Sequence, residues 1–197
     1  MNQFFTFEGI DGSGKSTIID HVATALKQKD CSVIITFEPT DTWLGKYVQH
    51  QIKTKSDPFV TAFTFIADRI EHSKKIKEWI EQGNIVLCDR YAESTYAYQS
   101  VQLEKTLKDP VKWLQDLSKG RILKPDRTFY FRITPQKALS RIQQRDELIF
   151  FERQSFLRKV HNNYEKICNG DRFIQVDATK TIPDLTELCL AEILSES

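Results

Sequence analysis

The sequence has little that would direct it to a membrane or to a nucleic acid. Its 28 basic and 27 acidic residues nearly cancel, so no net field favours a polyanion or an anionic surface. No apolar run approaches the roughly 18 residues of a membrane-spanning helix, and no basic-then-apolar leader is present. We therefore expect a protein that neither spans a membrane nor enters a secretory route, and that has no nucleic-acid partner.

The few cysteines exclude two further kinds of site. Cys31, Cys88, Cys168 and Cys189 lie far apart and form no C-x-x-C pair, so neither a zinc knuckle nor a disulfide framework is indicated. We interpret them as small core residues of a protein in the reducing cytoplasm. Internal repeats, low-complexity tracts and flexible linkers are also missing, so residues 1–197 are predicted to form a single domain.

What the sequence does contain is an alternation of short apolar runs with amphipathic stretches. The runs lack a consistent two-residue alternation, which is typical of parallel strands buried on both faces. The predicted strands are Phe4–Glu8, Ser32–Phe37, Ile85–Cys88, Thr128–Ile133 and Phe173–Val176. The predicted helices are Lys15–Lys29, Thr42–Lys53, Val60–Gln82, Ser94–Leu103, Pro110–Ser118, Pro135–Arg145, Phe156–Asn169 and Ile182–Leu194. Such alternation predicts an α/β fold, a five-stranded parallel sheet flanked by helices.

The first apolar run leads directly into a phosphate-binding loop. Residues 9–16 match the pattern G-x-x-x-x-G-K-[ST]. Its glycines let main-chain N–H groups approach phosphate oxygens, and the helix that opens at Gly14 adds its positive end. Lys15 is expected on the β- and γ-phosphates, and the Ser16 hydroxyl on Mg²⁺. The pattern predicts an ATP-type site formed by Gly9, Asp11, Gly12, Ser13, Gly14, Lys15, Ser16 and Thr17.

An Asp-Arg pair follows the third predicted strand. From the carboxyl end of that strand, Asp89 can reach Mg²⁺, directly or through water, or orient an attacking phosphate. Arg90 beside it offers a forked donor for a phosphate. Because the pair occurs in a chain with a phosphate-binding loop, it indicates phosphoryl transfer with Lys15 and Asp89 as catalytic residues.

These two segments together resemble the thymidylate kinase family. They read Phe-Glu-Gly-Ile-Asp-Gly-Ser-Gly-Lys-Ser-Thr at 7–17 and Asp-Arg-Tyr-Ala-Glu-Ser-Thr-Tyr-Ala-Tyr-Gln at 89–99. Further similar segments lie at 65–69, 124–126, 133–135, 152–156 and 176–178, so the resemblance covers nearly the whole chain. It implies a three-layer fold like that of nucleoside monophosphate kinases, a short lid at about 141–154 and a homodimer. The implied reaction transfers the γ-phosphoryl of ATP to dTMP with Mg²⁺, giving dTDP for dTTP synthesis.

The resemblance also implies which residues bind dTMP. On the base, Phe65 corresponds to the ring stacked on thymine and Arg69 to the donor to thymine O4, while Thr95 and Gln99 line the base pocket. On the sugar and phosphate, Asp11 corresponds to the carboxylate that accepts from the 3′-hydroxyl, and Arg90 to the arginine on the monophosphate. Tyr98 corresponds to the ring that crowds the 2′ position and disfavours ribonucleotides.

The sequence departs from the family pattern at two places. Many bacterial members carry an arginine just before Glu-Pro, and another branch carries one where Thr40 stands, but this chain reads Phe37-Glu38-Pro39-Thr40. A second arginine on the monophosphate is therefore missing from its usual positions. Gly12 also occupies the position where one branch places a catalytic arginine.

The missing catalytic charge is expected from the lid, as in the other branch of the family. The lid region supplies Arg141, Arg145 and Arg153 among acidic residues. We rank Arg153 first and Arg145 second as the arginine that acts on the transferring phosphoryl group.

Other readings stay open at this point. A deoxynucleoside kinase, or a kinase of another nucleoside monophosphate, would use the same phosphate-binding loop. A P-loop switch or a non-catalytic nucleotide-binding module belongs to a different class of function. The chain has no Asn-Lys-x-Asp segment, which argues against a GTPase, and a bare binding module has no need of Asp89 and Arg90 beside an arginine-rich lid.

Overall fold

The computed structural model describes residues 3–142 and 154–195. The strands are β1 (Phe4–Glu8), β2 (Val33–Phe37), β3 (Ile85–Asp89), β4 (Arg127–Arg132) and β5 (Phe173–Asp177). The helices are α1 (Lys15–Lys27), α2 (Trp43–Thr54), α3 (Pro58–Glu81), α4 (Ala92–Leu103), α5 (Pro110–Ser118), α6 (Pro135–Ile142), α7 (Gln154–Ile167) and α8 (Ile182–Leu194). Among these, no helix has both the length and the apolarity to cross a membrane.

The strands form one parallel sheet in the order β2-β3-β1-β4-β5. This confirms the predicted α/β class with a five-stranded parallel sheet. The expectation of burial on both faces holds for the inner strands, since every residue of β1 is buried. It is wrong for β2 and β5, in which most side chains are partly or fully exposed. These two strands lie at the sheet edges, where each has only one neighbouring strand.

Strand β1 contributes side chains to an apolar cluster on each face of the sheet, because successive residues of a strand point to opposite faces. Phe5 and Phe7 pack in one cluster with residues such as Leu26 of α1. Phe4 packs in the other with Ile66 of α3 and Leu114 of α5. Helices therefore cover both faces, as in the expected three-layer arrangement.

Local capping moves several helix boundaries from their predicted positions. Helix α3 begins at Pro58 rather than Val60, because the Asp57 side chain accepts hydrogen bonds from the N–H groups of Phe59 and Val60. Helix α4 begins at Ala92, two residues before the prediction. Helix α6 is described as far as Ile142, and the rest of the predicted helix lies outside the described residues.

The parallel sheet brings three chain segments to one edge. The phosphate-binding loop follows β1, Glu38 follows β2, and Arg90 follows β3. Carboxyl ends of neighbouring parallel strands meet at the same edge, which is where α/β proteins bind their ligands. Strand β1 lies between β3 and β4 in this sheet, so the loop and the Asp-Arg pair are adjacent in space.

Candidate active site

A cavity of about 620 Å³ opens at this edge of the sheet. The predicted site residues that line it are Asp11, Gly12, Gly14, Lys15, Ser16, Thr17, Phe65, Arg69, Asp89, Arg90, Tyr98 and Gln99. Three other predicted site residues are not among those that line the cavity but accept hydrogen bonds from Lys15 or Arg69, which do line it: Gly9, Ser13 and Thr95. Arg145 and Arg153 lie outside the described residues. We call the loop 9–17 with Asp89 and Arg90 the phosphate half, and Phe65, Arg69, Thr95 and Gln99 the base half.

In the phosphate half, the Lys15 ammonium is held by the loop itself. Its Nζ donates to the carbonyl of Gly9 at 3.1 Å, to the carbonyl of Ile10 at 3.3 Å and to Ser13 Oγ at 3.3 Å. The residue is only 5% exposed, and burial together with the nearby Arg90 lowers the pKa of Lys15 to about 8. The loop thus holds a cation that a phosphate can attract by replacing neutral carbonyl partners.

Ser16 and Asp89 provide oxygen ligands suited to Mg²⁺. The Ser16 hydroxyl donates to Asp89 Oδ2 at 2.5 Å. Asp89 Oδ1 is buried and has no hydrogen-bond partner within 3–142 and 154–195, which is costly unless a ligand meets it. The described residues contain no cluster of three or more His, Cys, Asp or Glu side chains that could hold a metal. The hydroxyl and carboxylate oxygens of Ser16 and Asp89 suit Mg²⁺, which takes few protein ligands and completes its octahedron with phosphates and water.

Arg90 occupies a backbone conformation that non-glycine residues seldom adopt. Its φ is +68°, and the Cys88 thiol donates to its carbonyl at 3.0 Å. Its Nη1 donates to the Gly9 carbonyl and to Ser94 Oγ, each at 3.1 Å, and its Nη2 pairs with the Asp11 carboxylate. Left-handed backbone at a non-glycine residue concentrates at functional sites, and here it directs the guanidinium toward the loop.

Asp11 and Tyr98 meet between the two halves. The Tyr98 hydroxyl donates to Asp11 Oδ2 at 3.2 Å, and the Arg90 guanidinium carbon lies 5.2 Å from the centre of the Tyr98 ring. Burial alone would raise the pKa of Asp11, but the charges of Arg90 and Lys15 hold that pKa below its usual value. Asp11 is therefore an ionised acceptor placed beside the cavity.

In the base half, Arg69 is fixed by three hydrogen bonds and retains one uncommitted group. Its Nε donates to Glu38 Oε2 at 2.7 Å, and its Nη2 donates to the Tyr91 carbonyl at 3.0 Å and to Thr95 Oγ1 at 2.8 Å. The residue is 1% exposed, and its Nη1 has no partner in the part of the chain that the structure describes. The Phe65 ring lies one helical turn earlier on α3 and lines the same cavity.

Gln99 supplies an uncommitted acceptor in the same half. Its Oε1 is buried without a partner among the described residues, and it lies one turn after Thr95 on α4. The base half thus contains a donor, Arg69 Nη1, and an acceptor, Gln99 Oε1, that are both buried and unmet by the described part of the chain. Such groups cost free energy unless a ligand satisfies them.

Two buried carboxylates that organise the site did not emerge from the sequence as functional residues. Glu38, 5% exposed, lines the cavity and pairs with Arg69. Glu8, fully buried at the end of β1, accepts hydrogen bonds from the Tyr91 and Ser94 N–H groups, from Ser94 Oγ and from the Tyr164 hydroxyl. Glu8 therefore holds the turn that carries Arg90. The sequence signal that could have identified both residues is a carboxylate at the carboxyl end of an apolar strand or directly after it.

The structure explains both departures from the family pattern. Thr40 is bonded to α3, since its N–H and hydroxyl both donate to the Asp68 carboxylate, at 2.9 and 2.5 Å. Gly12 has a φ of +82°, and a Cβ there would lie 2.4 Å from the Ala138 carbonyl of α6. An arginine at position 12 would therefore be both strained and sterically blocked.

Arg141, the first residue of the predicted lid region, contacts the phosphate-binding loop directly. Its Nη1 lies 3.4 Å from the Gly12 carbonyl and 3.5 Å from the Ser13 carbonyl, and its Nη2 donates to the Ala178 carbonyl at 2.9 Å. It also lines the cavity. This side chain connects the loop to the segment after β5.

Comparison with known proteins agrees with this geometry. The family model described as Thymidylate kinase matches residues 7–188. The probable thymidylate kinase of Methanosarcina barkeri is 38% identical over 183 residues, which cover 91% of this chain and 89% of the relative. That of Methanococcoides burtonii is 36% identical, covering 98% and 96%, and that of Natronomonas pharaonis is 33% identical, covering 95% of each. The chain thus belongs to the thymidylate kinase family.

Proposed function

We propose that this protein transfers the γ-phosphoryl group of ATP to the phosphate of dTMP, giving dTDP and ADP. The observation that carries the choice of base is the pair of unmet groups in the base half, Arg69 Nη1 and Gln99 Oε1. Thymine presents an acceptor at O4 and a donor at N3–H. Cytosine presents a donor amino group at C4, which faces the donor of Arg69 as a mismatch because a guanidinium cannot accept a hydrogen bond.

This complementarity predicts strong selection against cytosine. A site built to hydrogen-bond a substrate group rejects an analogue that leaves its buried polar groups unpaired. The Phe65 ring and the apolar side chain of Ile52 line the same cavity, which suits a flat pyrimidine. The base half therefore favours dTMP over dCMP on polar grounds.

In the phosphate half, the proposed catalysis is positioning and charge neutralisation. The attacking oxygen belongs to a phosphate that is already anionic near neutral pH, so no strong general base is needed. Arg90 is proposed to bind the acceptor phosphate, and Lys15 to bind the γ-phosphate. Mg²⁺ held by Ser16 and Asp89 would supply further positive charge on the phosphate oxygens when bound. Arg153, or else Arg145, is proposed to act on the transferring group from the lid.

A coupled ADP-release assay tests the proposal. ATP and Mg²⁺ are supplied with dTMP, dUMP, dCMP, thymidine or no acceptor, and ADP formation is followed. We expect rapid turnover with dTMP, little with dCMP or thymidine, and slow ATP hydrolysis without acceptor. Faster turnover of thymidine would identify a deoxynucleoside kinase. ATP binding without acceptor-dependent ADP release would identify a nucleotide-binding module.

We also propose that the protein is a homodimer, through an apolar surface on α2 and α3. The exposed side chains are Trp43 (76%) and Tyr47 (48%) on α2, and Val60 (46%) and Phe63 (50%) on α3. They stand three or four residues apart, so each pair lies on one helix face. Exposed apolar clusters of this kind mark association surfaces.

Sedimentation equilibrium tests the dimer with the variant Trp43→Asp/Phe63→Asp and the control Ile182→Asp, which changes an exposed apolar residue (44%) elsewhere. We expect the parent and the control to be dimers and the double variant a monomer. A monomeric parent would contradict the proposal.

The proposed compartment is the cytoplasm. Cys31, Cys88, Cys168 and Cys189 are all free thiols, and free thiols are typical of a reducing compartment. Immunolocalisation of the full chain in its own cells tests this placement, and recovery outside the cytoplasm would contradict it.

A further inference from the structure

A buried hydrogen-bonded row leads away from the base half, behind Arg69. Glu38 accepts from Arg69 Nε at its Oε2, and its Oε1 lies 2.9 Å from His72 Nδ1. His72 Nε2 lies 2.7 Å from Thr36 Oγ1 on β2. Arg69, Glu38 and His72 are each at most 6% exposed, so water does not replace these contacts easily.

The chemistry of the row determines the tautomer of His72. Arg69 pairs directly with the Glu38 carboxylate, and a carboxylate in such a pair accepts hydrogen bonds. Nδ1 of His72 must therefore carry a hydrogen and donate it to Glu38. In the neutral imidazole, Nε2 then accepts from the Thr36 hydroxyl. The row runs Thr36, His72, Glu38, Arg69, and every link is satisfied.

The row ends at Arg69 Nη1, which has no hydrogen-bond partner among the residues that the structure describes. Glu38 fixes Arg69 from one side, while Tyr91 and Thr95 fix it from the other. Arg69 lines the cavity, and if Glu38 shifted by a rotamer, Arg69 Nε would follow it and the guanidinium, with its Nη1, would turn relative to the cavity. His72 is the side chain that occupies the second oxygen of Glu38.

We propose that His72 is a positioning residue for base selection. It holds the Glu38 carboxylate in the rotamer that directs Arg69 Nη1 at the O4 position of the pyrimidine. His72 does not line the cavity, so it acts only through Glu38 and Arg69. The inference rests on the proposed function, because it assumes that Arg69 reads the base.

The test compares three variants of α3 with the parent. His72→Leu removes the donor to Glu38 at similar volume. His72→Asn keeps an N–H close to the Nδ1 position, because both nitrogens are attached to Cγ. Ile76→Ala, one turn further along α3 at a fully buried position, is the control for a general loss of helix packing. KM and kcat are measured for ATP, dTMP and dCMP, together with the melting temperature of each variant.

For His72→Leu we expect KM for dTMP to rise about tenfold while KM for ATP changes less than about twofold. The dTMP-to-dCMP ratio of kcat/KM should fall by about tenfold, because Arg69 no longer points its donor at position 4. His72→Asn should restore the ratio to within about threefold of the parent. Ile76→Ala should lower the melting temperature and leave the ratio unchanged.

Selectivity that is unchanged in His72→Leu, or lost equally in Ile76→Ala, overturns the inference. If His72→Leu does not fold, Thr36→Val takes its place. This variant removes only the hydroxyl that contacts His72 Nε2, and it should raise KM for dTMP by about two- to threefold. An unchanged KM for dTMP in that variant also overturns it. Failure of the proposed function is distinguishable, because the parent itself would then show no preference for dTMP.

Discussion

Arg69 in the base half and Lys15 in the phosphate half are buried cations and Arg90 is partly buried, yet the three meet the protein differently. Arg69 is committed to Glu38, Tyr91 and Thr95 and keeps one nitrogen unmet. Lys15 is bonded to loop carbonyls and Ser13, and Arg90 to Asp11 and Ser94. A base can be added to the first arrangement without breaking a contact. A phosphate must displace protein partners in the second.

This difference between the two halves follows from the charge of the ligands proposed for them. A pyrimidine offers neutral groups whose hydrogen bonds are worth about 1 kcal/mol each, so the protein must hold its donor in place beforehand. A phosphate brings charge, and charge-assisted hydrogen bonds are about twice as strong, enough to exchange with neutral carbonyls. Changes in the phosphate half should therefore affect turnover, and changes in the base half should affect the choice of acceptor.

The largest effect is expected at Lys15. Lys15→Ala should abolish turnover, because it removes the loop cation that the γ-phosphate would attract. It should leave the fold intact, since Lys15 bonds only within its own loop. Steady-state kinetics and circular dichroism measure the two expectations. A variant that keeps a tenth of the parental kcat would refute the assignment of Lys15 to the phosphates.

The next effect concerns the lid arginine. Because position 12 supplies no charge, Arg153→Ala should lower kcat by roughly a hundredfold or more and change KM little. Arg145→Ala should do less. Steady-state kinetics of both single variants and of the double variant measure these changes in kcat and KM. Near-parental rates in all three would mean that another residue provides the charge.

A smaller effect, confined to the acceptor, is expected at Arg69. Arg69→Lys keeps a cation for Glu38 but loses the fork that carries Nη1. It should weaken dTMP binding roughly ten- to a hundredfold, or about 1.5–3 kcal/mol, with little effect on ATP. Calorimetric titration with each nucleotide measures this. Equal weakening of both nucleotides would point to a structural arginine, and would remove the contrast between the two halves.

The smallest effect is a pH dependence of nucleotide binding. The pKa of Lys15 is lowered to about 8 in the free protein, so Lys15 carries its charge below that pH and loses it above. Bound phosphate favours the charged form and raises this pKa. Affinity for ADP without Mg²⁺ should therefore be level just below pH 8 and fall toward pH 10, by less than about tenfold per pH unit.

Fluorescence titration of the parent and of Lys15→Met across this pH range measures the effect. The break near pH 8 should disappear in Lys15→Met, which has no ammonium to titrate. A break retained by that variant would assign the titration to another group.

The sequence predicted the sheet well, and the residues assigned to the phosphate half line one cavity at its edge, because both depend on local patterns. Five apolar runs and the loop 9–16 are contiguous signals, and the chain contains little else that competes with them. The helix starts at Pro58 and Ala92 were misplaced, because the first depends on the Asp57 cap and the second lies in a turn held by Glu8 from another strand. The Asp57 cap followed by Pro58 is itself a local start signal and can be read from the sequence. Local pattern carries no information about a distant partner such as Glu8.

The supports of the base half could not be read from the sequence at all. Glu38 and His72 lie 34 residues apart along the chain, and no spacing rule joins a residue after β2 to one in the middle of α3. Only the packing of α3 against the sheet makes them neighbours. The family resemblance gave Arg69 and Gln99 as base-pocket residues, but not which of their atoms are left unmet.

The contact of Gly12 with the Ala138 carbonyl has a consequence for which substitutions the loop accepts. Since a side chain at position 12 collides with α6, a mutation that adds a charged side chain to the loop at this position is harmful until α6 has shifted. A shift of α6 without that mutation leaves a gap beside Gly12. In this chain, a charge at position 12 therefore requires at least two changes, one in the loop and one in the packing of α6.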